Sequence, residues 1–209
     1  MKQAALILLL FFSLIALSRN RYENFTYTVE NLKKKEIPDS SKLFVFVGEK
    51  IYFKPRKSIH KYSFYKSYIA KYKVIKCIYG NCKKETVKFR VYSHLELKCF
   101  PQYALLFVNK ERNRYELEYR QVIPVAKTKD GRWASCGHRY GGDDQNGKKI
   151  EPVPLKFEED IWHNLSNTKN ELIPKYYPEP YFEIVNDSAR CLMGYYVEDL
   201  FIIQKYSVL

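Results

Sequence analysis

Hydrophobic and polar positions follow one another in short runs along much of the chain, which is the pattern of β-strands. Residues 43–47 and 103–108 are continuously apolar, and such short runs predict buried strands. Strict alternation of apolar and polar residues at 86–92 and 114–119 predicts strands with one buried and one exposed face. Residues 121–126 form a further short strand candidate.

The alternation between residues 68 and 79 slips by one position. Ala70, Tyr72 and Val74 share one phase, whereas Ile75 begins a set on the opposite phase. Because successive side chains of a strand point to opposite faces, an extra residue in one strand shifts the phase of everything after it. The slip therefore predicts a β-bulge inside this strand.

The predicted strands follow one another at turn-length spacing, with no long helical pattern between them. This favours an antiparallel barrel or sandwich over a parallel α/β sheet, and bulged, twisted strands favour a small closed barrel. Acidic residues at its start make residues 158–165 the best candidate for a short helix. The segments 181–185 and 195–203 are strand-like, so the fold is predicted to be mainly β.

The N-terminal segment has the features of a secretory signal peptide. Lys2 precedes an apolar run at 4–17, and small residues occupy Ala16 and Ser18, so cleavage is expected after Ser18. The alternative is a membrane anchor, but a membrane span needs roughly 20 apolar residues. We therefore expect a secreted or periplasmic protein with no membrane span after signal cleavage.

The rest of the chain divides by composition into three further parts. A polar stretch with a run of three lysines leads into the first strand, and a segment of mixed composition follows the predicted barrel. The expected boundaries are 1–18 for the signal peptide, 19–40 for a lead-in segment, 41–140 for the barrel and 141–209 for a C-terminal extension packed on the barrel.

Five cysteines fit an oxidising compartment but can form two bridges in several ways. Cys77 and Cys82 flank a plausible turn and could be joined. Cys99 and Cys136 bracket a strand-rich stretch and could also be joined, which would leave Cys191 as the odd cysteine, buried or paired between molecules. The alternative is that all five are buried thiols; a zinc site is disfavoured because no close Cys-x-x-Cys pair is present.

Charge is concentrated in the first part of the mature chain. The whole protein carries a formal net charge of +13, and residues 31–120 hold 22 basic and 8 acidic side chains. Basic side chains cluster between strands and alternate along them, with Tyr52, Tyr62, Tyr65, Tyr68 and Tyr92 nearby. The predicted anion-binding residues are Lys54, Arg56, Lys57 and Lys61 in a loop, Lys71 and Lys73 on one outward face, and Lys88 and Arg90 on another.

Such a surface can hold phosphates, sulfated glycans, lipopolysaccharide or acidic cell wall. The alternative is a solvated, lysine-rich surface without a ligand, since net charge bears on solubility before function. No motif of a protease, a nucleotide-binding enzyme or an α/β-hydrolase occurs. We therefore predict no catalytic residue, no metal site and no cofactor, and we infer no specific nucleic-acid target.

Several motifs together resemble a known family. They are Phe-Val-Phe-Val-Gly at 44–48, the strand at 70–80, the alternating strand at 86–92, Cys-Phe-Pro-Gln-Tyr-Ala-Leu-Leu-Phe-Val at 99–108, and Trp-Ala-Ser-Cys-Gly at 133–137. This set resembles the OB-fold of the netrin-module and tissue-inhibitor-of-metalloproteinases-like superfamily, especially its secreted bacterial members. The resemblance covers about residues 41–140.

The resemblance implies a small antiparallel OB-like barrel and a disulfide between Cys99 and Cys136. Inhibitors of that family chelate the zinc of a protease through a cysteine at the mature N-terminus. Here the expected mature start is Arg19, and no cysteine precedes Cys77, so that mechanism is not supported.

These observations predict a secreted or periplasmic, non-enzymatic binding module that contacts an anionic extracellular polymer or a protein partner. One alternative function is an extracellular protease or hydrolase inhibitor that acts through a loop, and another is an extracellular enzyme without a recognisable motif.

Overall fold

A computed structural model describes residues 42–56, 66–94, 97–137, 142–144 and 146–207 of the 209-residue chain. The predicted signal peptide and lead-in segment lie outside the described residues. Where the chain is described, no helix has the length and apolar character that crossing a membrane requires.

Five strands close into a barrel, which confirms the mainly β, OB-like fold class. Their order around the barrel is β1-β2-β3-β5-β4. The pairings are antiparallel except for β3 with β5, which is parallel. The strands are β1 (Leu43–Pro55), β2 (Lys66–Tyr79), β3 (Thr86–Ser93), β4 (Tyr103–Glu111) and β5 (Arg114–Pro124).

The chain after the barrel forms short strands, two helices and a 3-10 turn at Asn170–Leu172. Three small sheets result, with the orders β10-β14-β7-β6, β11-β13-β12 and β8-β9. The elements are β6 (Ala126–Lys127), β7 (Trp133–Cys136), β8 (Gly142–Asp143), β9 (Lys149–Ile150), β10 (Val153–Pro154), β11 (Trp162–Asn164), α1 (Ile173–Tyr176), β12 (Phe182–Val185), β13 (Ser188–Cys191), β14 (Met193–Tyr196) and α2 (Val197–Ser207).

The two continuously apolar runs are strands buried on both faces. On β1, Phe46 packs in the barrel interior with Tyr72 and Phe89. Its neighbours Val45 and Val47 point the other way, into a second core that α2 completes. A strand covered on both sides has no position left for a polar side chain, which explains why its sequence does not alternate.

The predicted bulge in β2 is confirmed. Val47 pairs with Lys76, but the next residue of β1, Gly48, pairs with Val74, so Ile75 has no partner on β1. The extra residue lies where the sequence phase slips. Further register shifts between these strands follow Val45 and Lys50, and such bulges increase the local twist that a small closed barrel needs.

The segment before β4 covers one end of the barrel. The ring of Phe100 stacks on Phe53 with centroids 4.5 Å apart. The Tyr72 hydroxyl donates to the Pro101 carbonyl over 2.6 Å, and the Leu97 N–H donates to the Tyr68 hydroxyl over 2.9 Å. Aromatic packing and these hydrogen bonds close the end of the barrel where β1 finishes and β4 begins.

Two predictions for the C-terminal extension need correction. Residues 158–165 do not form a helix: Trp162–Asn164 is the edge strand β11, which pairs with β13. The segment 195–203 is a strand only to Tyr196 and then becomes α2, whose Val197, Leu200 and Ile203 are buried. In both places tertiary contacts decide between helix and strand, because a short isolated segment has no strong preference for either. The predicted strand at 181–185 is present as β12.

The disulfides also differ from expectation. Cys77 and Cys82 are bonded, as their flanking of a turn suggested. The second bridge joins Cys136 to Cys191, and Cys99 is an exposed free thiol. The pairing of Cys99 with Cys136 is therefore wrong, and the odd cysteine is Cys99 instead of Cys191.

Strand pairing after the barrel explains the second bridge. Cys136 on β7 lies opposite Gly194 on β14. Only Leu192 separates β14 from Cys191, the last residue of β13. The β7–β14 pairing thus brings the two cysteines together, with Cα atoms 6.0 Å apart, which is within the usual range for a disulfide.

Burial of two tyrosines makes stability sensitive to alkaline pH. Desolvation raises the pKa of Tyr72 and raises the pKa of Tyr195 to about 12. A tyrosine in the unfolded chain ionises near pH 10. Above that pH the unfolded state binds fewer protons than the folded state, so the free energy of unfolding falls as pH rises towards the folded-state pKa.

We expect Tyr195→Phe to reduce this alkaline loss. In a Cys99→Ser background, which prevents thiol exchange, urea unfolding is measured at pH 9 and pH 11. The variant should lose roughly 1 kcal/mol less than the parent between these pH values, because one buried phenol no longer titrates. Equal losses in the two proteins would contradict a raised pKa of Tyr195.

Candidate anion-binding surface

The outer surface of β1, β2 and β3 gathers five of the predicted anion-binding residues. Side chains opposite one another in paired strands point to the same face of a sheet. Lys54 lies opposite Ile69, and Ile69 lies opposite Arg90. We call this surface the basic face and define it by Tyr52, Lys54, Lys71, Lys73, Lys88 and Arg90.

One row across the basic face contains two adjacent lysines. Tyr52 on β1 is paired with Lys71 on β2, which is paired directly with Lys88 on β3. Cβ atoms of residues directly opposite in an antiparallel pair are about 5 Å apart, and like charges there destabilise the sheet. This row therefore places two positive charges side by side at a cost to the folded protein.

No acidic side chain of the described residues forms an ion pair with Lys54, Lys71, Lys73 or Lys88. Glu49 lies opposite Lys73 in the strand register. Its carboxylate instead accepts a hydrogen bond from the Tyr103 hydroxyl over 3.3 Å. The negative charge of Glu49 also raises the pKa of Tyr103.

Arg90 differs from the four lysines because it has an acidic partner. Its guanidinium lies 4.0 Å from a carboxylate oxygen of Glu116 on β5, and Nη1 donates to the Tyr92 hydroxyl over 3.5 Å. Glu116 partly neutralises Arg90 at the margin of the basic face. The unbalanced positive charge is therefore centred on the lysines of β1, β2 and the start of β3.

Aromatic surface accompanies the charge. The Lys54 ammonium lies 5.3 Å from the centroid of the Tyr52 ring, within the range of a cation–π contact. Tyr52 is partly exposed beside Lys71. A half-exposed ring among lysines offers an apolar contact to a sugar or a base next to the charges that hold its anionic groups.

The predicted anion-binding residues fall into three groups by their position in the structure. The alternation predicts two outward faces, one with Lys71 and Lys73 and another with Lys88 and Arg90, but the four residues share one face of neighbouring strands. Arg56 is exposed just past the end of β1, where its backbone N–H donates to the Ser67 carbonyl over 2.8 Å. Lys57 and Lys61 lie outside the described residues.

Sequence reasoning missed a second group of lysines, at the opposite end of the barrel from the segment that covers it. Lys83 and Lys84 follow Cys82 in the loop between β2 and β3, and Lys110 is near the end of β4. The only signal in the sequence was the Lys-Lys pair beside a cysteine. Nothing local indicated that a strand 26 residues later would bring a third lysine to the same cavity.

Comparison with known proteins adds no assignment to this surface: no family model matches the chain, and neither a curated protein nor a solved structure matches it.

Proposed function

We propose that this protein is an exported, non-enzymatic binding module whose basic face holds an anionic extracellular polymer. Sulfated or carboxylated polysaccharide is the ligand class that suits it best. Export is supported by the signal-like N-terminal sequence and by two disulfides, which persist in oxidising compartments.

The observation that carries the proposal is the direct pairing of Lys71 with Lys88. Two unpaired lysines opposite one another weaken the sheet, and a polymer that brings anionic groups to both would remove the repulsion. Lys54 and Lys73 extend the positive charge along the strands on either side. The spacing of charges along the pleated surface suits a ligand with repeated anionic groups.

The position of the basic face on the barrel supports the choice of ligand class. OB-folds commonly bind oligosaccharides and oligonucleotides at the surface of strands 2 and 3, which is where the basic face lies. A relationship to the netrin-module and tissue-inhibitor-of-metalloproteinases-like superfamily stays a proposal that rests on the sequence motifs alone, without the Cys99–Cys136 bridge that it implies.

The test measures the binding of a fluorescently labelled heparin oligosaccharide. Its fluorescence anisotropy is recorded during titration with the protein at a series of salt concentrations. We expect affinity to fall steeply with salt, because binding releases counterions. The double variant Lys71→Gln/Lys88→Gln should bind roughly tenfold or more weakly at 0.1 M salt and show a shallower salt dependence. The fold is checked by circular dichroism.

The matched control is Lys169→Gln/Lys175→Gln, which removes the same charge from exposed positions of the extension. It should retain most of the affinity. Equal losses in the two double variants would show that net charge alone attracts heparin, and binding that does not change with salt would also contradict the proposal. Inhibition of an extracellular protease or hydrolase at nanomolar concentration, unaffected by Lys71→Gln/Lys88→Gln, would favour the loop-mediated inhibitor instead.

A further inference from the structure

The end of the barrel where β1 begins and β2 ends opens into a cavity of about 360 Å³. The segment 97–102 covers the opposite end. Strand direction brings the start of β3, the end of β4 and the start of β5 to the open end as well. A cavity of this size at the mouth of a β-barrel is typical of a site for one small ligand.

The wall of the cavity is apolar. Phe46 and Val87 belong to the barrel core, and Phe44, Val74 and Tyr115 pack against that core. The rings of Phe44 and Tyr115 meet edge to face, with centroids 5.6 Å apart. An apolar group of a ligand would displace water from this surface, which is favourable.

The rim of the cavity is positively charged. Lys83, Lys84 and Lys110 line it together with Asn81, and no acidic residue is among the lining residues. None of these three lysines forms an ion pair with an acidic residue in the described part of the chain. The Lys84 ammonium lies 4.6 Å from the centroid of the Tyr115 ring, so it already leans over the apolar wall.

The loop that carries two of these lysines is held at both sides. The disulfide between Cys77 and Cys82 joins the end of β2 to the loop just before Lys83. After Lys84, the Glu85 carbonyl accepts a hydrogen bond from the Val74 N–H over 2.8 Å. The rim is therefore positioned by covalent and backbone contacts before any ligand arrives, which lowers the entropy cost of binding.

We propose that this cavity binds a small amphiphilic anion, with its apolar body against Phe44, Val74 and Tyr115 and its single anionic head among Lys83, Lys84 and Lys110. A medium-chain carboxylate has this chemistry. The apolar wall alone would accept an uncharged molecule of the same shape, whereas three unpaired lysines around it repel cations and select an anion. This site shares no residue with the basic face, so either proposal can fail without the other.

The test uses three probes of matched chemistry on the ¹⁵N-labelled folded protein. Octanoate has both the chain and the charge, 1-octanol has the chain alone, and acetate has the charge alone. Backbone amide shifts are followed by NMR during titration. We expect saturable octanoate shifts at 81–84 and 110–115, affinity for octanoate at least tenfold higher than for 1-octanol, and no saturable shift with acetate.

Two sets of variants locate the apolar body and the head. The triple variant Lys83→Gln/Lys84→Gln/Lys110→Gln should lower octanoate affinity at least tenfold, to the level of 1-octanol, and leave 1-octanol binding unchanged. Val74→Trp should fill the cavity and abolish binding of both. The matched control Lys148→Gln/Lys169→Gln/Lys175→Gln removes three exposed lysines of the extension and should leave octanoate affinity unchanged.

Several results would overturn the proposal. They are the absence of saturable octanoate binding, amide shifts that map to another part of the protein, equal affinities for octanoate and 1-octanol, and a loss in the control triple variant equal to that in the rim triple variant. Flotation with phosphatidylglycerol vesicles is the last arm. Vesicle binding that needs the rim lysines, without octanoate binding, would assign them to a membrane surface and reject the cavity site.

Discussion

Replacing Cys136 and Cys191 by serine is expected to lower the free energy of unfolding by about 4 kcal/mol, since the bridge closes a separation of 55 residues. A cross-link of that span removes much of the conformational freedom of the unfolded chain. The bridge also joins β7 to β13, which belong to two different sheets of the chain that follows the five barrel strands. Cys191 is buried in the core between these elements, so its sulfur packs there as well.

The two tryptophans lie on the two sheets that the bridge joins, Trp133 on β7 and Trp162 on β11. The Trp133 ring also packs against Tyr103 of β4, with centroids 5.2 Å apart. Urea unfolding followed by tryptophan fluorescence therefore reports on both sheets and on the contact between β7 and the barrel. We expect Cys136→Ser/Cys191→Ser to unfold, as followed by tryptophan fluorescence, at a much lower urea concentration than the parent.

The control is Cys77→Ser/Cys82→Ser. That bridge closes a separation of only 5 residues, so its removal should cost about 2 kcal/mol. A larger loss in this control than in Cys136→Ser/Cys191→Ser would contradict the assignment. Maleimide labelling of the native protein followed by mass mapping should modify Cys99 alone, and a bridge at Cys99 would reject the connectivity.

The barrel could be predicted from the sequence because its signals are local. Alternation at 86–92 and the phase slip at Ile75 each follow from the period of a strand, whatever its partners are. The disulfide of Cys136 could not be predicted in this way. It depends on the pairing of β7 with β14, strands whose residues are far apart in sequence.

The helix α2 shows a second kind of limit. Residues 200–203 read Leu-Phe-Ile-Ile, and a short apolar run fits a buried strand and a buried helix equally well. The structure makes it a helix because Leu200 and Ile203 lie on the side that packs on β1 and β4. That surface exists only once the barrel has formed.

The candidate site was predictable as residue types but not as an arrangement. Alternation identified Lys71 and Lys88 as outward-facing residues. Their direct pairing depends on the register of β2 with β3, which the length and geometry of the intervening loop set. The rim lysines of the cavity belong to loops and strand ends, where periodicity carries no information.

Gly194→Ala is the other substitution expected to have a large effect, with a loss of stability of about 3 kcal/mol or more. A Cβ atom at this position would lie 2.0 Å from the Ser135 carbonyl oxygen and 3.0 Å from the Leu155 side chain. Gly194 pairs with Cys136 on one side and Val153 on the other. The backbone cannot move away from the oxygen without breaking one of these pairings.

Gly131→Ala is the matched control, because a Cβ there has no heavy atom within 4 Å. Alanine should cost about 1 kcal/mol there, because the φ of +80° lies in the left-handed region, which disfavours a Cβ atom. No steric clash adds to this cost. Urea unfolding followed by tryptophan fluorescence compares the two variants. The close approach of β14 to β7 requires Gly194→Ala to be clearly the less stable; if the two variants unfold at the same urea concentration, the strands do not approach so closely. In that case the contact that brings Cys191 beside Cys136 would also need another explanation.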